Sequence, residues 1–231
     1  MKINILFQDK SIIVVEKPPK MPCQSDKTQD EDLMSLLTKQ LMEDGAEEPY
    51  LGLVHRLDRP VGGVLVLAKT KEANRVLSKQ ISEHKFTKEY LTVVCGIPAN
   101  PHGELRDYLK KLITINMSKV VDKGTKNAKE AILQYSLMAT KTTDKYGDIS
   151  LLNVNLKTGR HHQIRVQLSN AGFPIWGDNK YNKIFVKKKE WTQISLWAHR
   201  VAFRHPVSNT PIDFTSFPYD EYPWSIFEID K

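Results

Sequence analysis

Only two cysteines, Cys23 and Cys95, occur in 231 residues. They give neither a disulfide framework nor a metal-ligand spacing, so the chain reads as reduced and cytoplasmic. No apolar run approaches the roughly 20 residues a membrane helix needs. The opening MKINILFQDK turns polar too soon for a secretory signal. A protein-kinase site is excluded as well: there is no Gly-x-Gly-x-x-Gly loop, and Leu57 separates His55-Arg56 from Asp58. No internal repeat, low-complexity linker or composition break marks a domain boundary, so one compact domain over 1–231 is expected.

What is present suits a soluble globular chain, with 40% hydrophobic and 26% charged residues. The net charge is +7 and unevenly spread. Residues 26–48 are acidic, with Lys27 and Lys39 as the cations there. Residues 106–129 carry Arg106, Lys110, Lys111, Lys119, Lys123, Lys126 and Lys129 against Asp107 and Asp122. Residues 183–204 carry Lys183, Lys187, Lys188, Lys189, Arg200 and Arg204 against Glu190, and 213–230 is acidic again. A basic surface of this kind suits a polyanion, and it equally suits a solvated face with no partner.

Short β-type runs are expected at 3–7 and 12–15, ended by Pro18, Pro19 and Pro22. Leu33, Leu37 and Leu41 predict a helix over about 30–42 that stops at Gly45. GGVLVLA reads as a fully buried strand. Thr70 is the expected N-cap of a second helix over 71–82, with Ala73, Leu77 and Ile81 inward. EYLTVVCG, EAILQYSLMA, DISLLNVNL and SLWAHRVAFRHP are further strands, and RHHQIRVQLSNAG is a short helix. Many strands and about three short helices, not in strict alternation, predict an α+β fold with a mixed, mostly antiparallel sheet.

Three stretches carry candidate chemistry. In HRLDRPVGG, Arg56 and Arg59 flank Asp58 and favour its ionised form. A permanently charged carboxylate is a poor proton donor, but it can act as nucleophile, base or electrostatic partner of a developing cation. Pro60-Val61-Gly62-Gly63 implies a tight turn into the strand, which would hold Asp58 on a braced loop. A structural salt bridge at a turn fits the same residues. In LKTGRHHQIRVQL, a helix would set His161 and Arg165 one turn apart. Arg165 could pair with a buried acid while Ile164 and Leu168 face the core. A metal site is disfavoured, since adjacent histidines on a helix point apart and Arg165 is no ligand; a solvated basic helix is the plain alternative. In FTKEYLTVVCG, Tyr90 is either core packing or an aromatic face for a base.

Taken together and in this order, these segments resemble the RluA branch of the RNA pseudouridine synthases. HRLDRPVGGVLVLAKT is similar to that family's signature around its catalytic aspartate. KEYLTVVCG is similar to its Lys-x-Tyr strand, and GRHHQIRVQL to its Gly-Arg-x-His-Gln-Ile-Arg motif. GFPIWGDNKY resembles its Gly-Asp-x-x-Tyr segment, LWAHRVAFRHP its late strand, and ILFQDKSIIVVEKPPKMP its opening strands.

The resemblance implies an α+β catalytic domain, isomerisation of uridine to pseudouridine in structured transfer or ribosomal RNA, and neither cofactor nor metal. It implies Asp58 as nucleophile, Arg165 as its ion-pair partner, and Tyr90 as the ring that stacks on the target base. Arg56 matches the arginine that fills the space left by the flipped nucleotide. Arg59, Arg160, His162, Lys110, Lys111, Lys187, Lys188 and Lys189 are the further expected RNA contacts, and Leu57 and Leu196 the expected site packing. Extruding the uridine costs a few kcal/mol, which a wedge and an aromatic platform offset. Whether Asp58 attacks the sugar carbon, deprotonates the sugar toward a glycal, or adds to the base ring stays open. His161 stands where many members carry Thr, Gln167 replaces a frequent His, and Trp197 stands where His is common. The family-like segment starts at about Ile3, so no S4-type RNA-binding domain is expected, and a monomer is. A non-catalytic RNA-binding or ribosome-assembly factor of the same fold is the rival reading, though such a factor would not need Asp58, Tyr90 and Arg165 together.

Overall fold

The computed structural model describes residues 1–25, 30–188 and 191–229. In chain order the elements are β1 (Asn4–Gln8), β2 (Ile12–Lys17), α1 (Leu33–Glu43), β3 (Gly52–Leu53), β4 (Gly62–Ala68), α2 (Lys71–Ser82) and β5 (Thr87–Cys95). Next come β6 (His102–Leu112), β7 (Met117–Val121), β8 (Lys129–Thr143), β9 (Gly147–Leu156), α3 (Gln163–Asn170), α4 (Lys183–Val186), β10 (Leu196–Arg204) and β11 (Pro211–Thr215). The architecture is α+β with mixed, mostly antiparallel strand pairing. Among the described residues no helix is long and apolar enough to cross a membrane.

The chain divides into two compact units. The first comprises Met1–Lys88 and Trp197–Pro218. Its ladder runs β1, β2, β4, β10, β11, with β3 also on β4. Every pairing in it is antiparallel except β4 with β10. All seven residues of β4 are buried, as the unbroken apolar run requires. Val64, Val66 and Ala68 form one face and join Ile12, Val14, Val201, Phe203 and the Ala73 and Leu77 stripe of α2 in a single core. Thr70 caps α2, accepting from the Ala73 amide at 3.0 Å. The first helix starts later than the sequence predicts. Asp32 is its N-cap, accepting from the Ser35 amide at 3.1 Å, so the acids before it lie outside the helix.

The second unit comprises Glu89–Leu196 and Tyr219–Lys231. Its strands run β5, β9, β8, β6, β7, all antiparallel. The β6–β7 hairpin lies in the basic stretch, where the sequence pattern predicts no element. Across the sheet, Tyr90 faces Val154, and Val154 faces Tyr135. Tyr135 faces Gly103, where a Cβ would lie 2.6 Å from the tyrosine ring. These four positions form one cross-strand row on one face of the sheet. By strand alternation Ala131 shares that face, and Ala131 packs with Val166 of α3. Tyr90 and α3 therefore occupy the same face.

Candidate active site

In the first unit the chain arrives along β3, paired with the far end of β4. Where that pairing stops, His55 Nε2 accepts the Val66 amide at 3.2 Å. Burial, with Lys88 adding to it, pushes the His55 pKa down to about 3, so the ring is neutral at ordinary pH. The backbone on either side of Asp58 is then held from two directions. The Cys23 thiol donates to the Leu57 carbonyl at 3.3 Å, and the Leu57 amide donates back to Sγ at 3.4 Å. The Lys17 ammonium, at the end of β2, donates to the carbonyls of Met21 at 2.7 Å, Pro18 at 3.0 Å and Arg59 at 3.2 Å. Val61 donates to the Asp58 carbonyl at 2.9 Å, closing the turn that starts β4. Asp58 itself is half-buried, Leu57 is buried, and Arg56 and Arg59 are exposed.

The charges around this loop are not alike. Burial lowers the Lys17 pKa to about 8, with Cys23 and Asp58 pulling it back up and Arg59 pushing it down. Burial raises the Cys23 thiol pKa, which keeps it a neutral donor. Arg59 pairs with Asp30 and donates from Nε to the Lys20 carbonyl at 3.0 Å. It braces the loop against the segment ahead of α1.

In the second unit α3 departs from the expectation in three ways. It starts at Gln163, so His161 lies ahead of the helix and not one turn from Arg165 on it. His162 is the N-cap with a left-handed backbone, φ 54°, and this brings the two histidine rings into a stack, with centroids 3.8 Å apart. They do not point apart. Finally, Gln163 through Leu168 are all buried; this is no solvated basic helix. Most of its polar groups are matched; the exception is Gln167 Oε1, which is buried with no hydrogen-bond partner among the described residues. Gln163 donates to the Ile132 carbonyl and accepts from Thr158 and the Arg160 amide. Gln167 donates to Asp107 Oδ2 at 2.8 Å and lies within 3.2 Å of the Leu105 and Ala131 carbonyls. Arg165 pairs with Asp178 and stacks over the Tyr181 ring at 5.3 Å. Tyr181 Oη lies 2.9 Å from His162 Nδ1 and accepts the Ser118 amide of β7 at 2.7 Å. Burial, then Arg165, His161, Lys180 and Lys111, hold the His162 pKa down at about 2. His162 is thus a neutral, buried hydrogen-bonding group rather than a cation for phosphate.

The remaining expected contacts are scattered through the second unit. Lys110 and Lys111 are neighbours in β6 and so face opposite sides; Lys110 pairs with Lys119 and Lys111 with Ser118 across β7. Arg160 is exposed and donates from Nε to the Glu130 carbonyl at 2.8 Å. Lys187 is exposed. Lys188 is engaged, with Nζ 2.7 Å from Tyr146 Oη and over the Tyr146 and Phe185 rings. Leu196 and Tyr90 are buried, and Lys189 lies outside the described residues. Asp178 and Tyr181 are the named residues of the Gly-Asp-x-x-Tyr segment, though the sequence gives neither a role there, and nothing in it singles out Lys17. A buried arginine does demand a buried acid, and the Gly-Asp-x-x-Tyr segment holds it.

Comparison with known proteins identifies the family of the chain. Residues 11–170 match the family described as RNA pseudouridylate synthase. The chain is 34% identical over 222 residues to tRNA pseudouridine synthase C of Haemophilus ducreyi, covering 89% of this chain and 87% of that one. It is 28% identical over 224 residues to ribosomal large subunit pseudouridine synthase D of Zymomonas mobilis, covering 92% and 68%. The fold is shared with human RNA pseudouridylate synthase domain containing 1, with a TM-score of 0.77 at 19% identity, covering 94% of this chain and 84% of that one. The chain belongs to the RNA pseudouridylate synthase family, in its RluA branch. Its reaction is the isomerisation of uridine in RNA to pseudouridine.

Proposed function

We propose that this synthase acts on a uridine flipped out of a stem-loop of transfer RNA or large-subunit ribosomal RNA, with Asp58 as the catalytic nucleophile. The observation that carries the reading is the double anchoring of the Asp58 loop, by Cys23 at Leu57 and by Lys17 at Arg59. A reactive group held on a braced loop, with its carboxylate among cations, is ready without further ordering. The choice of RNA follows the named relatives, which divide between transfer and ribosomal RNA.

In this reading the N1–C1′ glycosidic bond breaks, the base turns, and a C5–C1′ bond forms, with the proton on C5 leaving and N1 taking one up. Asp58 carries the first step, Tyr90 serves as the platform for the base, and Arg165 serves as the cationic partner. Arg56 fills the gap left by the extruded nucleotide, and exposed cations such as Lys111, Arg160 and Lys187 contact phosphates. Both units work as one catalytic domain, as a monomer in the cytoplasm.

The test is pseudouridine mapping of total RNA with and without the gene, together with Asp58→Asn assayed in vitro. The expected result is a defined set of missing pseudouridines, and a variant that binds RNA but forms no product. An unchanged map, or an active Asp58→Asn protein, contradicts the assignment.

A further inference from the structure

Arg165 and Asp178 form an ion pair whose side chains are 3% and 0% exposed. Two buried charges persist only with close geometry and further hydrogen bonds, and Asp178 has both. Its Oδ2 accepts from Arg165 Nε at 2.9 Å and its Oδ1 from Nη2 at 2.7 Å. Oδ1 also accepts the backbone amides of Lys180 at 2.9 Å and Tyr181 at 3.2 Å. This two-point grip sets the plane of the guanidinium, and the Tyr181 ring covers it. The loop that delivers Asp178 is itself tightly placed. Gly177 has φ +78°, and a Cβ there would lie 2.2 Å from the Gln193 carbonyl oxygen.

Stability alone is a weak reason for such a pair, because apolar side chains of the same volume commonly hold a helix as well or better. What the pair supplies beyond packing is orientation. Asp178 takes the Nε–Nη2 edge of Arg165, so the Nη1 edge is a donor pair of fixed direction outside that contact. Asp178 also balances the charge of the guanidinium locally, so Arg165 remains a cation whose donors have a fixed direction.

We propose that Asp178 is a positioning residue for the isomerisation: it presents one defined edge of Arg165 to the reacting groups. This rests on the reading that Arg165 serves Asp58 and the flipped uridine. Asp178 touches neither substrate nor Asp58 in this role; it acts through Arg165.

The test compares wild type, Asp58→Asn, Asp178→Asn and Asp178→Glu on an RNA that the wild-type protein modifies. Asp178→Asn keeps the size of the side chain and an acceptor for the Lys180 and Tyr181 amides, and loses the charge. Asp178→Glu keeps the charge and displaces it by one methylene. The expected result is a kcat per folded molecule reduced by about 10- to 100-fold in both, with KM within about threefold of wild type. A merely structural role lowers the folded fraction and leaves the kcat of folded molecules alone. If Asp178→Asn does not fold, Asp178→Glu decides by the same criterion; wild-type kcat in the folded variants, or failure of both to fold, overturns the proposal. An inactive wild type or an active Asp58→Asn condemns instead the reading on which the proposal rests.

Discussion

The Lys17 ammonium donates to the Arg59 carbonyl at 3.2 Å, across 42 residues of chain. A wholly buried lysine at the end of one strand thereby holds the backbone next to the candidate nucleophile. Its other two bonds go to the Pro18 and Met21 carbonyls, so one cation ties the proline-rich segment to the Asp58 loop.

Lys17→Met removes that tie and strands three carbonyls. Stability is expected to fall by about 2–4 kcal/mol, read as a lower urea midpoint. Turnover is expected to fall by about tenfold at most, because Lys17 bonds backbone and leaves the Asp58 carboxylate in place. Complete loss of turnover in folded protein would instead give Lys17 a chemical part.

The two neutral histidines make an acid-stability prediction. An unfolded histidine takes up its proton near pH 6.5, whereas His55 stays neutral down to about 3 and His162 to about 2. Below pH 6.5 the unfolded chain therefore binds more protons than the folded one. Stability falls as pH drops from about 6.5 toward 3, by up to about 1.4 kcal/mol per pH unit for each histidine. Above 6.5 neither contributes a slope. His162→Asn suits the left-handed cap and removes one titrating group, so its urea midpoint should fall less steeply over that window. A slope equal to wild type would show that His162 does not stay neutral.

How much of the fold and site is legible in the sequence depends on how each segment is solvated. The second helix and β4 are readable because their apolar residues fall on one stripe or in one unbroken run, and Thr70 marks the start. The β6–β7 hairpin is not, because much of each strand meets water and its lysines mask the alternation. Helix α3 misleads for the opposite reason. Gln163, Arg165 and Gln167 have the composition of a solvent face, yet each is buried against a carbonyl or a carboxylate. Asp178, which pairs with Arg165, lies 13 residues away, beyond any helical spacing, and only the fold brings it back.

Gly63 tests the crossing of β4 and β10. Its φ is +117°, and a Cβ would lie 2.2 Å from the Ala198 carbonyl oxygen, a backbone atom that cannot swing aside. Gly63→Ala combines left-handed strain with a clash at the parallel contact of the first unit. A loss of more than about 3 kcal/mol is expected, seen as poor soluble yield and a lower melting temperature. A stable Gly63→Ala protein would mean that the parallel contact gives way locally.

The basic residues separate into exposed and engaged groups, and salt dependence distinguishes them. RNA binding that neutralises phosphates releases counterions, so the log of affinity falls linearly with the log of salt concentration. Lys111 is exposed on β6, and Lys111→Gln should reduce that slope by roughly 0.7–0.9 if the lysine meets a phosphate. Lys188 has its ammonium on the Tyr146 hydroxyl and over two rings; Lys188→Gln should leave the slope unchanged and lower stability instead. The measurement is filter binding of a modified-site RNA across a salt series. A slope reduced by Lys188→Gln and untouched by Lys111→Gln would reverse the assignment, placing the phosphate contact just after α4 and not on the β6–β7 hairpin.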